Sequence, residues 1–260
     1  MIHGILHPGS GLGNQLFRYV ATRTLATDKG LPFSMINQQG FKGKDFMEVY
    51  LGEPNDIACI EGPGGELFPQ TQLKRFVEKK IVENGVDIRS YDPEINFVED
   101  DTIIDGEFQD SKYWGHRIDD ISKWLKTKQL WMPNDLCVIG FRGGEFQHIP
   151  DLFLPRSYYE EAIALIKIHN PDMKFTAVTD DPVAAAKVLP PEVKITHEIS
   201  TDWRMIRSAK YVIISNSSFY IFPALLNNNA DQIIAPRYWA RRNTGVWALP
   251  ANYYPRFSYI

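Results

Sequence analysis

The chain has 260 residues, and its 28 Lys and Arg against 32 Asp and Glu give a formal net charge of −4. This mild acidity argues against a dedicated nucleic-acid binder, which carries a basic excess, and a hydrophobic share of 44% excludes wholesale disorder. The sequence has no apolar run near the ~20 residues of a membrane-spanning helix and no signal-peptide pattern, so we expect a cytoplasmic protein.

The first half begins with a short strand, a glycine-rich turn and a helix. The apolar residues of this helix recur at helical spacing and the helix is expected to end at Gly30. Strands are predicted over residues 33–37 and Thr102–Asp105, and a helix over 111–126. Residues 40–100 are rich in Gly, Pro and acidic side chains, and no order of elements is assigned to them.

The second half alternates apolar strands with helices. The predicted strands are Leu136–Phe141, 175–178, 193–196, Tyr211–Ile214 and Gln232–Ala235. The intervening helices have candidate N-caps in Ser157, in Asp181 followed by Pro182, and in Thr201 or Asp202. Strands buried on both faces and separated by helices predict a parallel sheet with right-handed crossovers, a Rossmann-like unit.

Polar residues directly follow three of these strands. In an open parallel sheet, ligands bind beyond the carboxyl ends of the strands. The three strand ends offer an arginine, an acidic pair and a hydroxyl-rich helix start on one rim. In chain order these residues are Arg142 and Glu145, then Asp180 and Asp181, then Asn216, Ser217, Ser218 and Phe219.

These residue types suit a nucleoside diphosphate. Arg142 can grip a diphosphate with two parallel hydrogen bonds, and the helix start at Ser217 and Ser218 presents free N–H groups to a phosphate oxygen. Asp180 or Asp181 could accept hydrogen bonds from a purine. The plainer alternatives are that Ser217, Ser218 and Asp181 are ordinary helix caps and that Arg142 is a structural ion-pair partner.

The glycine-rich turn near the N-terminus also follows a strand and opens a helix, which is the position of a phosphate loop. It lacks the Lys-Ser/Thr ending of a P-loop and the third glycine of a dinucleotide fingerprint. Its candidate ligand-binding residues are Gly11, Gly13, Asn14 and Gln15, of which the two amides could reach a ligand.

The run Gly11-Leu-Gly-Asn-Gln-Leu-Phe17 resembles the opening motif of the α-1,2-fucosyltransferases, glycosyltransferase family eleven. Further blocks agree with the family in the same order, at 105–114, 142–145, 175–181, 216–219 and 234–239. The resemblance implies an α/β fold of the GT-B type, with two Rossmann-like lobes whose parallel sheets face each other across a cleft. It also implies inverting transfer from GDP-fucose to a glycan hydroxyl, with no metal and no further cofactor.

The resemblance further implies a division of the chain and roles for its residues. Residues 1–130 would form the acceptor-side lobe and 131–245 the nucleotide-sugar lobe. The aromatic-rich end, 246–260, is expected to pack back on the N-terminal lobe, with a sugar-binding platform as the alternative. Arg142 falls on the family arginine that neutralises the donor phosphates, and Asn14 on the asparagine that faces the donor sugar. The block 216–219 falls on the phosphate and ribose contacts.

One block departs from the family motif His-x-Arg-Arg-Gly-Asp. Here it reads Gly140-Phe-Arg-Gly-Gly-Glu145, so Gly140 replaces the histidine and Gly143 the second arginine. Two alternatives therefore stay open beside fucose transfer. The protein could use another nucleotide sugar, or it could be a degenerate lobe pair that binds a nucleotide sugar or glycan without transfer.

A general base is expected among the carboxylates and histidines. Glu145 is the first candidate, with an ion pair that orients Arg142 as its alternative, and His148 is a weaker one. Glu107 and Gln109 follow a strand of the other lobe and could meet the acceptor. Possible helpers at the diphosphate, more often solvated surface, are Arg237, Arg241 and Arg242. The sequence names neither the acceptor nor the oligomeric state.

Overall fold

The computed structural model describes residues 1–79, 81–83, 86–88, 90–238 and 254–260. The chain divides into two compact units, Met1–Lys126 and Thr127–Ile260. Each unit contains a parallel sheet together with helices, so the predicted fold class of two Rossmann-like α/β units is confirmed. In the described part of the chain, no helix has both the length and the apolar character needed to cross a membrane.

The elements of the first unit in chain order are β1 (Ile2–Ile5), α1 (Leu12–Lys29), β2 (Phe33–Ile36), β3 (Met47–Glu48), β4 (Cys59–Glu61), β5 (Leu67–Pro69), β6 (Lys74–Val77), β7 (Ile81–Glu83), β8 (Val86–Ile88), β9 (Thr102–Asp105), α2 (Ile118–Trp124) and, at the boundary, β10 (Lys126–Thr127). The unit is built on a four-stranded parallel sheet of order β2-β1-β9-β6. β4–β5 and β7–β8 are antiparallel hairpins, and the short β10 pairs with β3.

Helix α1 ends where the sequence predicts. Gly30 adopts the left-handed conformation, with φ 64°, and its N–H bonds back to the carbonyl groups of Ala26 and Thr27. Glycine takes this conformation at no steric cost, which is why it so often follows the last helical turn.

The helix predicted over 111–126 is wrong in its first half. Two 3₁₀ turns, Ser111–Tyr113 and Gly115–Arg117, precede α2. They are separated by Trp114, whose φ of −147° leaves the helical region. The Trp114 indole is buried and donates from Nε1 to the carbonyl of Phe108 at 3.1 Å. The backbone therefore leaves the helical conformation where this large ring is buried, although the apolar spacing around it is helical.

The second unit is built on a six-stranded parallel sheet of order β13-β12-β11-β14-β15-β16. This is the strand order 3-2-1-4-5-6 of the Rossmann fold, and it reverses between β11 and β14. Its elements in chain order are β11 (Leu136–Phe141), α3 (Arg156–His169), β12 (Lys174–Thr179), α4 (Pro182–Val188), β13 (Lys194–Thr196), α5 (Ile199–Ser208), β14 (Tyr211–Ile214), α6 (Ser218–Leu225), β15 (Gln232–Ala235) and β16 (Ser258–Tyr259).

The C-terminal segment contributes the last strand of this sheet. Residues 246–260 are expected from the sequence to pack on the N-terminal lobe, and residues 246–253 lie outside the described residues. The described part, 254–260, belongs to the second unit, where β16 pairs with β15.

The helix caps of the second unit agree with the sequence at one position and differ at two. Asp181 caps α4 as predicted and accepts a hydrogen bond from the N–H of Ala184. Helix α3 begins before Ser157, directly after Pro155, and α5 is capped by the Glu198 carboxylate, which accepts N–H groups of the first turn. The predictions of Ser157 and of Thr201 or Asp202 as caps are wrong, because in each case the helix starts earlier than its hydroxyl-rich stretch.

Candidate functional site

The predicted rim residues converge on the point where the strand order of the second unit reverses. Arg142 directly follows β11, and Ser217 follows β14, the neighbour of β11 on the other side of the reversal. Asp180 directly follows β12, which pairs with β11 on its opposite side. Ligands of open α/β sheets bind in the crevice at this switch point. The fold therefore places three of the predicted residues at the expected ligand-binding edge.

Arg142 lies between two carboxylates. Its Nη2 donates to Oε1 of Glu145 at 2.6 Å, and its Nη1 lies 2.8 Å from Oδ2 of Asp180. Its guanidinium also stacks at 5.3 Å from the ring centre of Phe146. The side chain is 26% exposed, and within the described residues its buried Nε has no hydrogen-bond partner. The guanidinium is thus fixed in orientation while part of it faces solvent.

Glu145 is held as an anion. Burial alone would raise the pKa of Glu145, but the hydrogen bond from Arg142, a backbone hydrogen bond and the positive charge of Arg142 together outweigh burial and lower the pKa below its ordinary value. A carboxylate with a lowered pKa is a weaker proton acceptor. The geometry therefore favours the alternative in which Glu145 orients Arg142, and general-base work by Glu145 stays a prediction.

The two aspartates after β12 have separate tasks within the protein. Asp180 accepts the backbone N–H of Gly143 on Oδ1 at 2.9 Å while its other oxygen meets Arg142. Asp181 accepts from the N–H of Ala184 and from Nε2 of Gln147, and the first of these bonds is the main cause of its lowered pKa. Asp181 is therefore an ordinary helix cap, which was the alternative interpretation of this residue. Contact of either aspartate with a nucleobase stays a prediction.

Both glycines that depart from the family motif stand where a side chain has no room. A Cβ at Gly140 would lie 2.8–2.9 Å from ring atoms of Tyr220, and a Cβ at Gly143 would lie 2.6 Å from Cβ of Asp181 and 3.1 Å from Cβ of Ala184. Real Cβ atoms essentially never come closer than 3.0 Å to another heavy atom, and a 3.1 Å contact is already unusually tight. The departures are thus matched by the local packing of this chain.

Replacing Gly140 by alanine is expected to destabilise the second unit by about 1–3 kcal/mol, because the new methyl group overpacks against the buried ring of Tyr220. Denaturant unfolding measures the change. Gly115→Ala is the control, since its Cβ would make only an ordinary 3.6 Å contact. A Gly140→Ala protein as stable as that control would contradict the tight packing.

The start of α6 combines a cap with an aromatic contact. The Oγ of Ser217 accepts the N–H of Phe219 at 3.4 Å, so Ser217 is the N-cap of α6, and Ser218 is the first helical residue and partly exposed. Asn216 donates from Nδ2 to the carbonyl of Leu152 at 2.9 Å. The ring of Phe219 meets that of Trp203 edge-on. A partial positive charge at this helix start lies next to the switch point.

The glycine-rich turn of the first unit carries a side-chain amide, that of Asn14, which is hydrogen-bonded to another predicted residue. Gly11 is the N-cap position of α1, Gly13 is buried in its first turn, and Asn14 accepts on Oδ1 from Nε2 of Gln109 at 3.2 Å. The structure thus brings together two residues, Asn14 and Gln109, that the sequence analysis proposed separately. A ligand role for Gly11, Gly13 and Asn14 stays a prediction.

Gln15 has a different environment from the one predicted. It is fully buried, donates from Nε2 to the carbonyl of Gly40 at 3.0 Å and accepts on Oε1 from the N–H of Lys42 at 2.9 Å. Both ends of its amide are therefore used inside the first unit. This geometry favours a role in fixing the loop over the predicted direct contact with a donor.

A network of charged side chains in the first unit was not found from the sequence. We call His7, Arg18, Arg75, Asp105 and Glu107 the N-terminal charged cluster. Asp105 Oδ1 lies 3.0 Å from Nε2 of His7 and 3.5 Å from Nη1 of Arg18, and its Oδ2 accepts from Nη2 of Arg75 at 2.7 Å. Arg18 Nη2 also donates to Oε1 of Glu107 at 2.6 Å.

The electrostatics of this cluster centre on Asp105. Burial alone would raise its pKa, but hydrogen bonds from His7 and Arg75 and the nearby positive charges outweigh burial and lower the pKa to about 2. Nδ1 of His7 accepts the N–H of Leu67 at 2.8 Å, so the hydrogen-bond network assigns the ring proton to Nε2, which faces Asp105. The sequence signal for this cluster is that polar residues follow the carboxyl ends of two short strands: Asp105 is the last residue of β9, and His7 follows the end of β1 by two residues.

The remaining candidates lie at the surface or beyond the described residues. His148 ends an exposed 3₁₀ turn, and Arg237 is exposed, in agreement with the solvated alternative for this arginine. Arg241 and Arg242 fall outside the described residues.

The burial of Asp202, in the first turn of α5, predicts that the stability of the protein depends on pH. Asp202 is 5% exposed, and desolvation raises its pKa to about 7. Because the pKa of Asp202 is raised in the folded state, its protonated carboxyl group contributes to the free energy of unfolding. This contribution is fully present below the unfolded-state pKa near 3.9 and is lost as the pH rises through about 7. Asp202→Asn should therefore stabilise the protein more at pH 8 than at pH 5, by up to about 3 kcal/mol at roughly 1.4 kcal/mol per pKa unit. Equal gains in denaturant unfolding at both pH values would contradict this.

Comparison with known proteins gives a weak structural likeness. No protein-family model matches the chain, and no curated protein matches it. The chain is similar to the crystal structure of NodZ α-1,6-fucosyltransferase soaked with GDP-fucose, with 13% identity, a TM-score of 0.48, and coverage of 89% of this chain and 93% of that chain. The same enzyme co-crystallised with GDP gives 13% identity, the same coverage and a TM-score of 0.43. At these values the likeness assigns no family, and the fold rests on the sheets described above.

Proposed function

We propose that this protein is a glycosyltransferase that binds a nucleoside diphosphate sugar at the carboxyl edge of the second unit's sheet. The supporting observation is Arg142, whose guanidinium is held between Glu145 and Asp180 beside the switch point and the start of α6. A fixed, partly exposed guanidinium next to a helix N-terminus suits a diphosphate. In its most specific form, taken from the family resemblance, the donor is GDP-fucose and the product an α-1,2 linkage.

The proposed reaction is a single displacement with inversion. The acceptor oxygen forms a bond to the anomeric carbon while the bond from that carbon to the diphosphate oxygen breaks, and the electron pair leaves with the diphosphate. The hydroxyl proton passes to a base. Negative charge grows on the departing diphosphate, where Arg142 and the N–H groups at the start of α6 supply the stabilisation that a metal supplies in other transferases.

The acceptor side is proposed to involve the first unit. Glu107 and Gln109 follow β9, and Gln109 donates to Asn14 of the glycine-rich turn. Carboxylates and amides are suitable partners for sugar hydroxyl groups because they accept or donate hydrogen bonds in a plane. Glu145 is assigned to orienting Arg142, with its use as general base kept as the alternative that variants must test.

A second candidate function is transfer from a different nucleotide sugar. The packing at Gly140 and Gly143 favours it, because neither position can carry the side chain that the family motif has there. Whichever nucleotide is bound, the diphosphate would still meet Arg142.

Donor turnover separates these possibilities. The purified protein is incubated with GDP-, UDP- and dTDP-sugars and a mixture of glycan acceptors, first in EDTA and then with Mn²⁺. Released nucleoside diphosphate and the anomeric configuration of the product are measured by NMR. We expect release from one nucleotide class and an inverted product. Release from UDP- or dTDP-sugars alone would replace GDP-fucose by the second candidate. A retained configuration, or a requirement for Mn²⁺, would overturn the mechanism, and binding without turnover would identify a degenerate lobe pair.

A further inference from the structure

A buried tyrosine lies behind Arg142, at the point where two strands end. Tyr220 belongs to the first turn of α6 and is 3% exposed. Its hydroxyl lies 2.8 Å from the carbonyl oxygen of Phe141 and 3.1 Å from that of Val178. Phe141 directly precedes Arg142, and Val178 precedes Asp180 by two residues. One hydroxyl group therefore contacts the ends of both β11 and β12.

The ring of Tyr220 is matched to the glycine beneath it. Gly140 is paired with Val178 on one side and Ile214 on the other, and a Cβ there would meet the Tyr220 ring at 2.8 Å. The carbonyl of Gly140 in turn accepts the N–H of Ser215, which leads into α6. The ring thus lies directly on the central strand of the switch point, with no intervening side chain.

The strand ends that Tyr220 contacts carry the ion pair at the rim. Asp180 must reach both Nη1 of Arg142, at 2.8 Å, and the N–H of Gly143, at 2.9 Å, which requires a defined spacing between β11 and β12 beyond their last paired residues. Tyr220 also lies three residues after Ser217, so the same side chain sets the position of the α6 start relative to Arg142. Tyr220 therefore contacts the ends of two of the three strands and belongs to the helix that follows the third.

We propose that Tyr220 is a positioning residue for diphosphate recognition, which acts by holding the ends of β11 and β12 so that Arg142 and the α6 start converge on one anion. The inference rests on the proposed function and deepens it. Tyr220 is buried and does not itself touch a ligand. It acts through Arg142, and this distinguishes it from a residue that only supports the core.

The variant Tyr220→Phe tests this, because it keeps the ring over Gly140 and removes only the hydroxyl. The probes are GDP, UDP and dTDP, with the matching nucleosides as phosphate-free probes, measured by calorimetry and by competition. For the nucleotide that the wild type binds, we expect the diphosphate to lose about five- to tenfold in affinity, the size expected for one hydrogen bond. The affinity for the nucleoside should not change. An equal loss for both probes, or no loss, would overturn the proposal.

A double-mutant cycle tests the route through Arg142. If Tyr220 acts by positioning this guanidinium together with the α6 start, Tyr220→Phe should cause a smaller loss of diphosphate affinity in an Arg142→Ala protein than in the wild type. Equal losses in both backgrounds would mean that the two residues act independently and would contradict the proposal.

Asn227 provides the matched control for loss of stability alone. It is fully buried in the same unit and donates from Nδ2 to the carbonyls of Ile206, at 2.8 Å, and Ala209, at 2.7 Å, near the amino end of β14. Asn227→Ala should lower Tm without changing the ratio of diphosphate to nucleoside affinity. If the wild type binds no nucleoside diphosphate, the proposed function and this inference fail together. If it binds one and Tyr220→Phe leaves the affinity ratio unchanged, only this inference fails.

Discussion

Replacing Arg142 by alanine is expected to lower the rate of sugar transfer by a factor of about 10² or more. The guanidinium is the cation that the structure fixes at the switch point, between Glu145 and Asp180. Its removal takes away the charge that would balance the departing diphosphate and leaves the two carboxylates facing the same place. The measurement is kcat/KM with saturating acceptor, together with the affinity for the free nucleoside diphosphate.

Two further variants make this result specific. Arg142→Lys keeps the charge but lacks the two-pronged geometry of guanidinium, so its activity should fall between the wild type and alanine. Arg156→Ala removes a half-exposed arginine of α3 in the same unit, which pairs loosely with Glu160 at 3.8 Å, and should leave transfer unchanged. Wild-type turnover in Arg142→Ala would remove Arg142 from the reaction.

Replacing Asp105 by alanine is expected to lower the free energy of unfolding of the first unit by about 3–5 kcal/mol. The carboxylate accepts from His7 and Arg75 and faces Arg18, whose side chain is only 8% exposed. Without it, the His7 N–H and the Arg75 guanidinium lose this acceptor, and among the described residues the nearly buried Arg18 guanidinium keeps only Glu107 as its carboxylate partner. Denaturant unfolding at pH 7 measures the loss.

The control for this variant is Asp28→Ala in the same unit. Asp28 pairs with His116 and Arg117 at the surface, where an ion pair contributes only about 0–1 kcal/mol. A loss no larger for Asp105→Ala than for Asp28→Ala would contradict the structural importance of the N-terminal charged cluster.

The same carboxylate predicts how stability changes in acid. The pKa of Asp105 is lowered to about 2 in the folded protein. The contribution of its ionised carboxylate to the free energy of unfolding is therefore present above the unfolded-state pKa near 3.9 and is lost as the pH falls through about 2. The shift corresponds to roughly 2 kcal/mol at 1.36 kcal/mol per pKa unit. Asp105→Asn should therefore lose less stability than the wild type between pH 5 and pH 2. Parallel curves for the two proteins would contradict the lowered pKa.

The strands of the second unit were predictable because they are short apolar runs bounded by polar residues. Leu136–Phe141, Tyr211–Ile214 and Gln232–Ala235 have the predicted bounds. The break in the helix at Trp114 was not predictable, since the apolar spacing there is helical and the buried indole becomes evident only in the structure. Strand β16 was not predicted either, because a strand of two residues is too short to show an alternating pattern in the sequence.

Part of the candidate site was predictable from the rule that ligands bind beyond the carboxyl ends of the strands in an open parallel sheet. That rule identifies Arg142, Asp180 and Ser217, but it does not show that Asp180 is the partner of Arg142. Tyr220 carries no motif, and its role depends on contacts with two strands that lie about 40 and 80 residues away in the chain. Likewise, Gly140 is explained only once the ring of Tyr220 is placed above it.

The measurement that tests the central claim most directly is calorimetric binding of GDP, UDP and dTDP to the wild type and to Arg142→Ala, in EDTA. A ligand at a hundred times its Kd should also stabilise the wild type by about 2.7 kcal/mol, which a thermal-shift assay detects. We predict selective binding of one nucleoside diphosphate without metal, weakened at least tenfold by Arg142→Ala. Binding of none of them, or equal binding by both proteins, would contradict a diphosphate site at Arg142.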